Sequence, residues 1–503
     1  MSVTGWRQAV EQAADLQSLA GGLQRGEAPG VYSASVRLVE NQLFFMVRED
    51  LEKLLVVVAE KEDCPFEAQA QVLGSFHVFL AELNSANAEV MRRLFPWTAP
   101  QAFGTTGISL GLGDRLGLAS PGHIKTVQGT TARPVLAQQS MRELDLTRRT
   151  YRQVLDAATW AVFQEGYTEG FGADGDHLKK VEDIQMALDL GFSMITLDCS
   201  EHIDDEVARL SAQEVAEKYR GLVPELKGQL EELYRDKTYT LQDGTSIHMG
   251  AAGFERMVLT YYRALDFMEM VYHSIIAREE RAIDFEISID EVDTPTTPQD
   301  HFFVASELRR RGVKVSSLAP RFCGHFEKGI DYIGDVEQFE REFAVHALIA
   351  RYFGYKVSIH SGSDKFSIFP IIGKYAGETG YHLKTAGTNW LEAVRVIASE
   401  DPKLYRALHR KALETVDQAR TYYKVSLDLG KVPSLDELDD AELPELMQNA
   451  DARQLLHITY GFLLTDPELG PQIFAVLKAK EGVYEQFLME HIGRHLESLG
   501  LSR

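Results

Sequence analysis

Cysteine is scarce in this 503-residue chain: only Cys64, Cys199 and Cys323 occur, and none sits in a CxxC spacing. Three unpatterned thiols exclude a disulfide framework and suit a reducing compartment. Positive charge is also short. Fifty-two Lys and Arg against 75 Asp and Glu give a net charge of −23, which argues against nucleic acid and anionic membranes as partners. Long hydrophobic runs are missing. The longest near the N-terminus, LLVVVA at Leu54–Ala59, is far too short to span a bilayer. The N-terminal stretch MSVTGWRQAVEQAADLQ is polar and helix-like, so no signal peptide is read and a cytoplasmic protein is expected. No low-complexity tract, GxSxG or HExxH motif occurs. GLGDRLG at Gly111–Gly117 lacks the GxGxxG spacing and reads as a plain loop.

What is present is an ordinary globular composition, 45% hydrophobic and 25% charged. Several helix-like segments end at Gly, and a β-rich run follows at once: Gly166-YTEGF, Gly191-FSMITLD, Gly312-VKVSSLA, Gly354-YKVSIH and Gly380-YHLKTAG. Glycine closes helices at positive φ, so each marks a helix stop followed by a strand start. GISLGLGD, PVLAQQS and AIDFEISIDE extend the series, which places strands near 107, 134, 167, 194, 283, 313, 356 and 381. Eight parallel strands with intervening helices predict an α/β fold, a (β/α)8 TIM-type barrel; a doubly wound open sheet is the alternative. Helices are predicted over Thr147–Gln164, His177–Leu190, Pro298–Arg311 and, with Asp335 as N-cap, up to Phe353.

The barrel should occupy residues 101–400. Residues 1–100 read as an N-terminal α+β extension with helix, strands (VYSASVRLV, NQLFFMV) and helix. An insertion after the fourth strand, at about 200–280, holds a charged helical segment and a hairpin, TYTLQDGTSIHMG, with Asp-Gly at its turn. Residues 401–503 read as helices packed on the barrel, with LDELDDAELPEL as a solvated connection.

Active sites of such barrels lie at the C-terminal ends of the strands. After the third strand come Asp174, Asp176 and His177; the bland alternative makes one of these aspartates a helix N-cap. On the fifth strand Asp284, Glu286, Ser288 and Asp290 alternate with apolar residues and should face the interior, where such carboxylates need a partner or a metal. Arg321, His325, Glu327 and Lys328 follow the sixth strand, and His360, Ser361, Asp364 and Lys365 the seventh. The eighth carries His382 and Lys384. A lone histidine is usually a packed or surface residue, but His177, His325 and His360 each lie just past a different strand. Three imidazoles on one rim point to one divalent cation, Zn, Ni, Co or Mn. His382 is expected as a further ligand or a substrate donor. Lys179, Arg321, Lys365 and Lys384 are expected to bind an anionic substrate, a carboxylate, or to neutralise nearby acids. Asp290 is also expected to contact substrate.

The strings GFGADGDHLK, EISIDEVDTPTTPQDH, APRFCGHFEKGIDYIGD, SIHSGSDKFSIFP and HLKTAGTNWLEAVRVIA resemble the tagaturonate epimerase family. The resemblance covers most of residues 100–400. It implies interconversion of D-tagaturonate and D-fructuronate with a divalent metal on His177, His325 and His360. It also implies an acid/base pair of Asp176 and a fifth-strand glutamate, Glu286 or Glu291; alternation favours Glu286. The nearest alternatives are a metal-dependent sugar isomerase or aldolase, and, in another class, a non-catalytic sugar-acid-binding barrel. A metal-dependent hydrolase is disfavoured because the first strand lacks an HxH pair. A sugar acid is the expected small-molecule partner, and a homo-oligomer is expected only from the habits of large barrels.

Overall fold

The computed structural model describes residues 5–385 and 387–501. Eight parallel strands close into a barrel in chain order: Ile108–Gly111, Ala132–Ser140, Gly172–Leu178, Met194–Asp198, Asp284–Ser288, Ser317–Ala319, Lys356–Ile359 and Tyr381–Lys384. The fourth and fifth pair through Glu286 opposite Thr196, and the eighth returns to the first through His382 opposite Ser109. The predicted barrel is therefore the observed one.

The helices between the strands follow local chemistry. Tyr151–Glu165 begins in a reciprocal cap between Thr150 and Gln153 and ends at Gly166, whose φ of 59° closes the helix. Pro298–Arg310 opens with Pro in its first turn behind Thr297, which forms a cap with Asp300. Asp335 caps Val336–Phe353 as expected, accepting from the backbone N–H groups of Glu337 and Gln338.

The third strand departs from its expected place. YTEGF carries no strand; the strand is the Gly-rich Gly172–Leu178, and the helix expected from His177 starts at Val181. Gly172 and Gly175 lack the side chains that usually signal a strand, and a Cβ on Gly175 would meet Leu178 and Ala187 at 2.9 and 3.2 Å. The aspartates 174 and 176 are thus strand residues. Lys180 stands at the helix N-cap, so the capping alternative falls.

The N-terminal extension, whose expected first helix is described from Gly5, is richer than expected. Five antiparallel strands form one sheet in the spatial order first, second, third, fifth, fourth, and LLVVVA lies within its third strand, Glu52–Ala59. One face packs on Trp6, Val10, Leu19 and Leu23, the other on Met91, Trp160 and Phe163. Burial on both faces explains the continuous apolar run LFFMV.

In the insertion, Lys237–Thr240 pairs with Ser246–Met249 around Asp243-Gly244, as predicted. The acidic stretch at 435–446 is less solvated than expected. Its carboxylates are exposed, but Leu435, Leu443 and Leu446 anchor it in the C-terminal core beside Trp390 and Leu455. No described helix is long and apolar enough to cross a membrane.

Candidate active site at the C-terminal end of the barrel

The barrel interior is polar along its upper half. Lys384, from the eighth strand, donates to Asp174 at 3.0 Å, Asp176 at 2.6 Å and Thr196 at 2.6 Å, and lies 2.9 Å from Glu286. One buried ammonium thus holds three buried carboxylates, which would otherwise be costly to enclose together. Burial works to raise all three carboxyls. For Asp176 and Glu286 the ammonium and the neighbouring histidines more than offset it and hold both below the usual range. Asp174, flanked by the other two carboxylates, stays raised by burial.

Above this floor opens a cavity walled by Asp176, His177, Asp290, Glu291, His360 and Lys384. The rings of His177 and His360 meet edge to face, 4.7 Å between centroids. His177 sits at φ 53° and Ser361 at 51°, conformations that cost a side-chain-bearing residue about 1 kcal/mol or more. Strand termini are bent here so that the rings converge.

His360 donates from Nε2 to Glu286 at 2.7 Å. Its other nitrogen, Nδ1, lies 2.9 Å from Asp290 Oδ1 without hydrogen-bond geometry. A ring nitrogen and a carboxylate oxygen this close call for a positive charge between them, a proton or a metal ion. His177 Nδ1 and Asp198 Oδ2 are likewise buried without a hydrogen-bond partner among the described residues. Donor atoms of His177, Asp290 and His360 lie within 4.8 Å of one another, as do those of His177, Asp198 and Glu291. Burial lowers the affinity of His177 for a proton, but Asp176 and Glu291 outweigh it and push the ring up to about 10; Asp290 raises His360 in the same way. These carboxylates make the pair avid for positive charge, proton or metal. A nitrogen-and-oxygen donor set with a carboxylate behind one imidazole fits a divalent first-row cation.

The other expected site residues fall as follows. His325 is not brought to this cluster. It is exposed on the loop after the sixth strand, where it pairs through its backbone with Ile333; the loop folds back on itself, and Asp290 stands third where a third imidazole was expected. Glu286 does not wall the cavity. It is fully buried, accepting from His360, from Ser317 at 2.5 Å and from Thr196. Glu291 does wall it, because the strand ends at Ser288 and alternation no longer governs the chain beyond it. Asp290 and Lys384 border the cavity. Lys179, Arg321, Lys365 and His382 do not. Lys179 lies near Asp198 and Glu201, each at 3.6 Å. Arg321 Nη1 reaches the Asp290 carbonyl at 3.5 Å. Lys365 is buried among the carbonyls of Glu327, Ile330 and Ser363, tying down the sixth-strand loop. His382 is buried inside the barrel, 2.8 Å from Ser109 Oγ.

Several wall residues were not foreseen: Arg115 in the loop read as plain, Arg142 and Glu143 after the second strand, and Tyr423 and His457 from the C-terminal region. The C-terminal region also clamps the sixth-strand loop. Glu327 accepts from Ser426 and Gln454, and Arg453 donates to the Gly329 carbonyl at 2.7 Å.

The family sequence model for tagaturonate epimerase matches residues 32–499. The chain belongs to the tagaturonate epimerase family. A tagaturonate/fructuronate epimerase from Thermotoga maritima is 43% identical over 480 residues, 94% of this chain and 98% of that protein. Native and glycerol-complexed crystal structures of the fructuronate-tagaturonate epimerase UxaE from Cohnella laeviribosi match with TM-scores of 0.91 and 0.92, each at 50% identity and covering 97% of this chain and 99% of theirs. The family match runs beyond the barrel into both the N-terminal and the C-terminal region.

Proposed function

We propose that the protein interconverts D-tagaturonate and D-fructuronate by inverting C4, with a divalent cation held by His177, His360 and Asp290. The observation that carries this reading is the pair of imidazoles whose unpartnered nitrogens meet a carboxylate in the mouth of a family barrel. When bound, the cation supplies Lewis-acid stabilisation of negative charge developing at the substrate carbonyl oxygen.

With the ketone at C2, C4 is β to the carbonyl, so its C–H is not acidified and direct deprotonation there is unfavourable. Cleavage of C3–C4 is the economical route. A carboxylate takes the proton of the C4 hydroxyl, the C4–O pair forms the aldehyde, and the C3–C4 electrons pass to the C1–C3 fragment as an enediolate. The aldehyde carbon turns its other face, C3 attacks again, and the proton returns to O4. Asp176 and Glu291 are the carboxylates for this exchange. Both border the cavity beside His177. Asp176 is kept ionised by Lys384, the form that accepts a proton, though that contact also weakens it as a base, while Glu291 sits at the open edge, 3.5 Å from Arg142. Glu286 acts through His360, fixing its ring by accepting the Nε2 proton.

The test is incubation of metal-loaded protein with tagaturonate in deuterated water, followed by NMR. Fructuronate without carbon-bound deuterium is expected. No fructuronate overturns the reading; deuterated fructuronate overturns bond cleavage in favour of an enediol shift along the chain.

A further inference from the structure

We infer that Lys328, Arg115 and His457 form the subsite that grips the substrate's carboxylate, so the C-terminal region, not the barrel alone, sets the preference for a sugar acid. This rests on the uronate reading above.

The three residues come from distant parts of the chain to one wall of the cavity. Arg115 follows the first strand, Lys328 follows the sixth, and His457 stands on the helix Ala450–Leu464. Arg115 is buried on the ring of Tyr460, 3.9 Å from guanidinium carbon to centroid, and turns Nε and Nη2 to Glu143 at 2.9 and 2.5 Å. Its remaining nitrogen, Nη1, is buried with no partner among the described residues. His457 is 1% exposed, and neither ring nitrogen has a partner among them. It reaches Arg115 around Gly387, where an added Cβ would collide with its ring and lie 3.3 Å from Arg115 Nη2. On its other side, a Cβ on Gly329 would lie 3.4 Å from His457 Nδ1. Both positions are glycine, which leaves the wall open. Lys328, the residue before Gly329, donates to Ser361 Oγ at 2.9 Å and forms no salt bridge among the described residues, although Glu143 and Glu291 act on it from a distance.

Glu143 answers Arg115 and Glu291 lies against Arg142. Lys328 feels both carboxylates at a distance but pairs with neither, and its hydrogen-bond partner among the described residues is the Ser361 hydroxyl. An unpartnered guanidinium nitrogen, an ammonium without a salt bridge and the N–H of a neutral imidazole are each expensive to bury unless a ligand meets them. A carboxylate accepts from all three donors at once. Lys365 and Arg453 hold the Lys328 loop in place by its carbonyls.

The test compares two non-reacting probes of equal length by calorimetry on the metal-loaded protein: D-galactonate, which has the carboxylate, and galactitol, which lacks it. Lys328→Met is expected to weaken galactonate roughly 10- to 100-fold, the worth of a charge-assisted hydrogen bond, and to leave galactitol unchanged. Lys328→Arg should recover most of the galactonate affinity, and His457→Phe should lose it by a smaller factor, also without effect on galactitol. Equal weakening of both probes, or none, in a folded Lys328→Met protein overturns the proposal; if that variant does not fold, the His457→Phe result decides in the same terms. The two readings fail separately. A protein that prefers galactonate through Lys328 but does not convert tagaturonate keeps the subsite and loses the reaction, and one that converts tagaturonate with galactonate preference intact in Lys328→Met does the reverse.

Discussion

The loop after the seventh strand begins at His360 and reaches Asp364 four residues on, and each belongs to a cluster of histidines and carboxylates tight enough to enclose an ion: His177, Asp290 and His360 on one side, Asp364, His491 and His495 on the other. Spacing does not separate them, and each holds an imidazole nitrogen beside a carboxylate without hydrogen-bond geometry, His360 Nδ1 in one and His491 Nε2 in the other. What differs is a cation already in place, Arg453 on Asp364. In the second cluster His495 Nε2 accepts the Asp364 backbone N–H at 3.0 Å and Nδ1 donates to the His491 carbonyl at 2.9 Å. His491 lies between Asp364 at 3.1 Å and Glu392 at 3.3 Å, and Arg453 donates to Asp364 at 2.8 Å. That set is a clamp fastening the loop to the last helix, Glu481–Ser498. In the first cluster no Lys or Arg among the described residues pairs with the Asp290 carboxylate, and both rings wall the cavity in the barrel mouth.

The largest effect should come from treating the two alike. His360→Ala or His177→Ala is expected to lose the bound metal, measured by elemental mass spectrometry, and to lower turnover by at least about 10³-fold, since Lewis-acid stabilisation is worth several kcal/mol. His495→Ala should keep a full complement of metal. A His360→Ala protein that retains it would erase the distinction, and a His325→Ala protein that loses it would restore the third imidazole that the geometry leaves outside.

Within the first cluster the carboxylates should also divide. Asp176→Asn is expected to lower kcat by roughly 10²- to 10⁴-fold with metal content intact, as for a lost acid/base group. Glu286→Gln should instead weaken metal affinity about 10- to 100-fold, as for a group that orients a ligand. The opposite pattern, with Glu286→Gln silent on metal and disabling for kcat, would return the acid/base role to the residue that strand alternation favours.

Much of this was legible in the sequence, because the signals are local. Glycine-closed helices followed by β-rich runs located four of the eight strands, and the runs GISLGLGD, PVLAQQS and AIDFEISIDE located three more. The third was displaced because Gly172 and Gly175 read as loop while tight packing against Leu178 and Ala187 makes them strand. His177 and His360 were legible as histidines just past strands. Arg115 and His457 were not, since their meeting depends on how the helix Ala450–Leu464 docks over the barrel mouth, and no periodicity encodes that. Lys365 misled for the same reason: its sequence neighbours suggested a substrate cation, whereas its three carbonyl partners come from the folding back of the sixth-strand loop and its own.

The clamp can be broken without touching the site. Asp364→Asn leaves His491 and Arg453 buried against a neutral amide, and removing one partner of a buried charged network costs about 3–5 kcal/mol. A fall of that size in urea unfolding, with metal content retained, is expected; loss of the metal at unchanged stability would mean the second cluster is a binding site after all.

The smallest effect separates two histidines of the clamp itself. His491 stands between two carboxylates, which outweigh burial and raise its affinity for a proton. His495, one turn on, is packed against Phe366 and Phe369, and burial followed by the neighbouring charge of His491 pushes it down to about 3. Their linkage to folding therefore has opposite sign. The raised His491 contributes stability that is present below about pH 6.5 and lost as pH rises through its folded value. For His495 the unfolded chain binds a proton that the folded protein refuses, so its contribution is complete above about pH 6.5 and is lost as pH falls towards 3. In His495→Gln the slope of unfolding free energy against pH between 6 and 4 should shrink by up to about 1.4 kcal/mol per pH unit, one proton's worth. Urea titrations at pH 7, 6, 5 and 4 read it directly. An unchanged slope would mean that His495 takes up its proton in place, and that the two rings share one charge, not one each of charged and neutral.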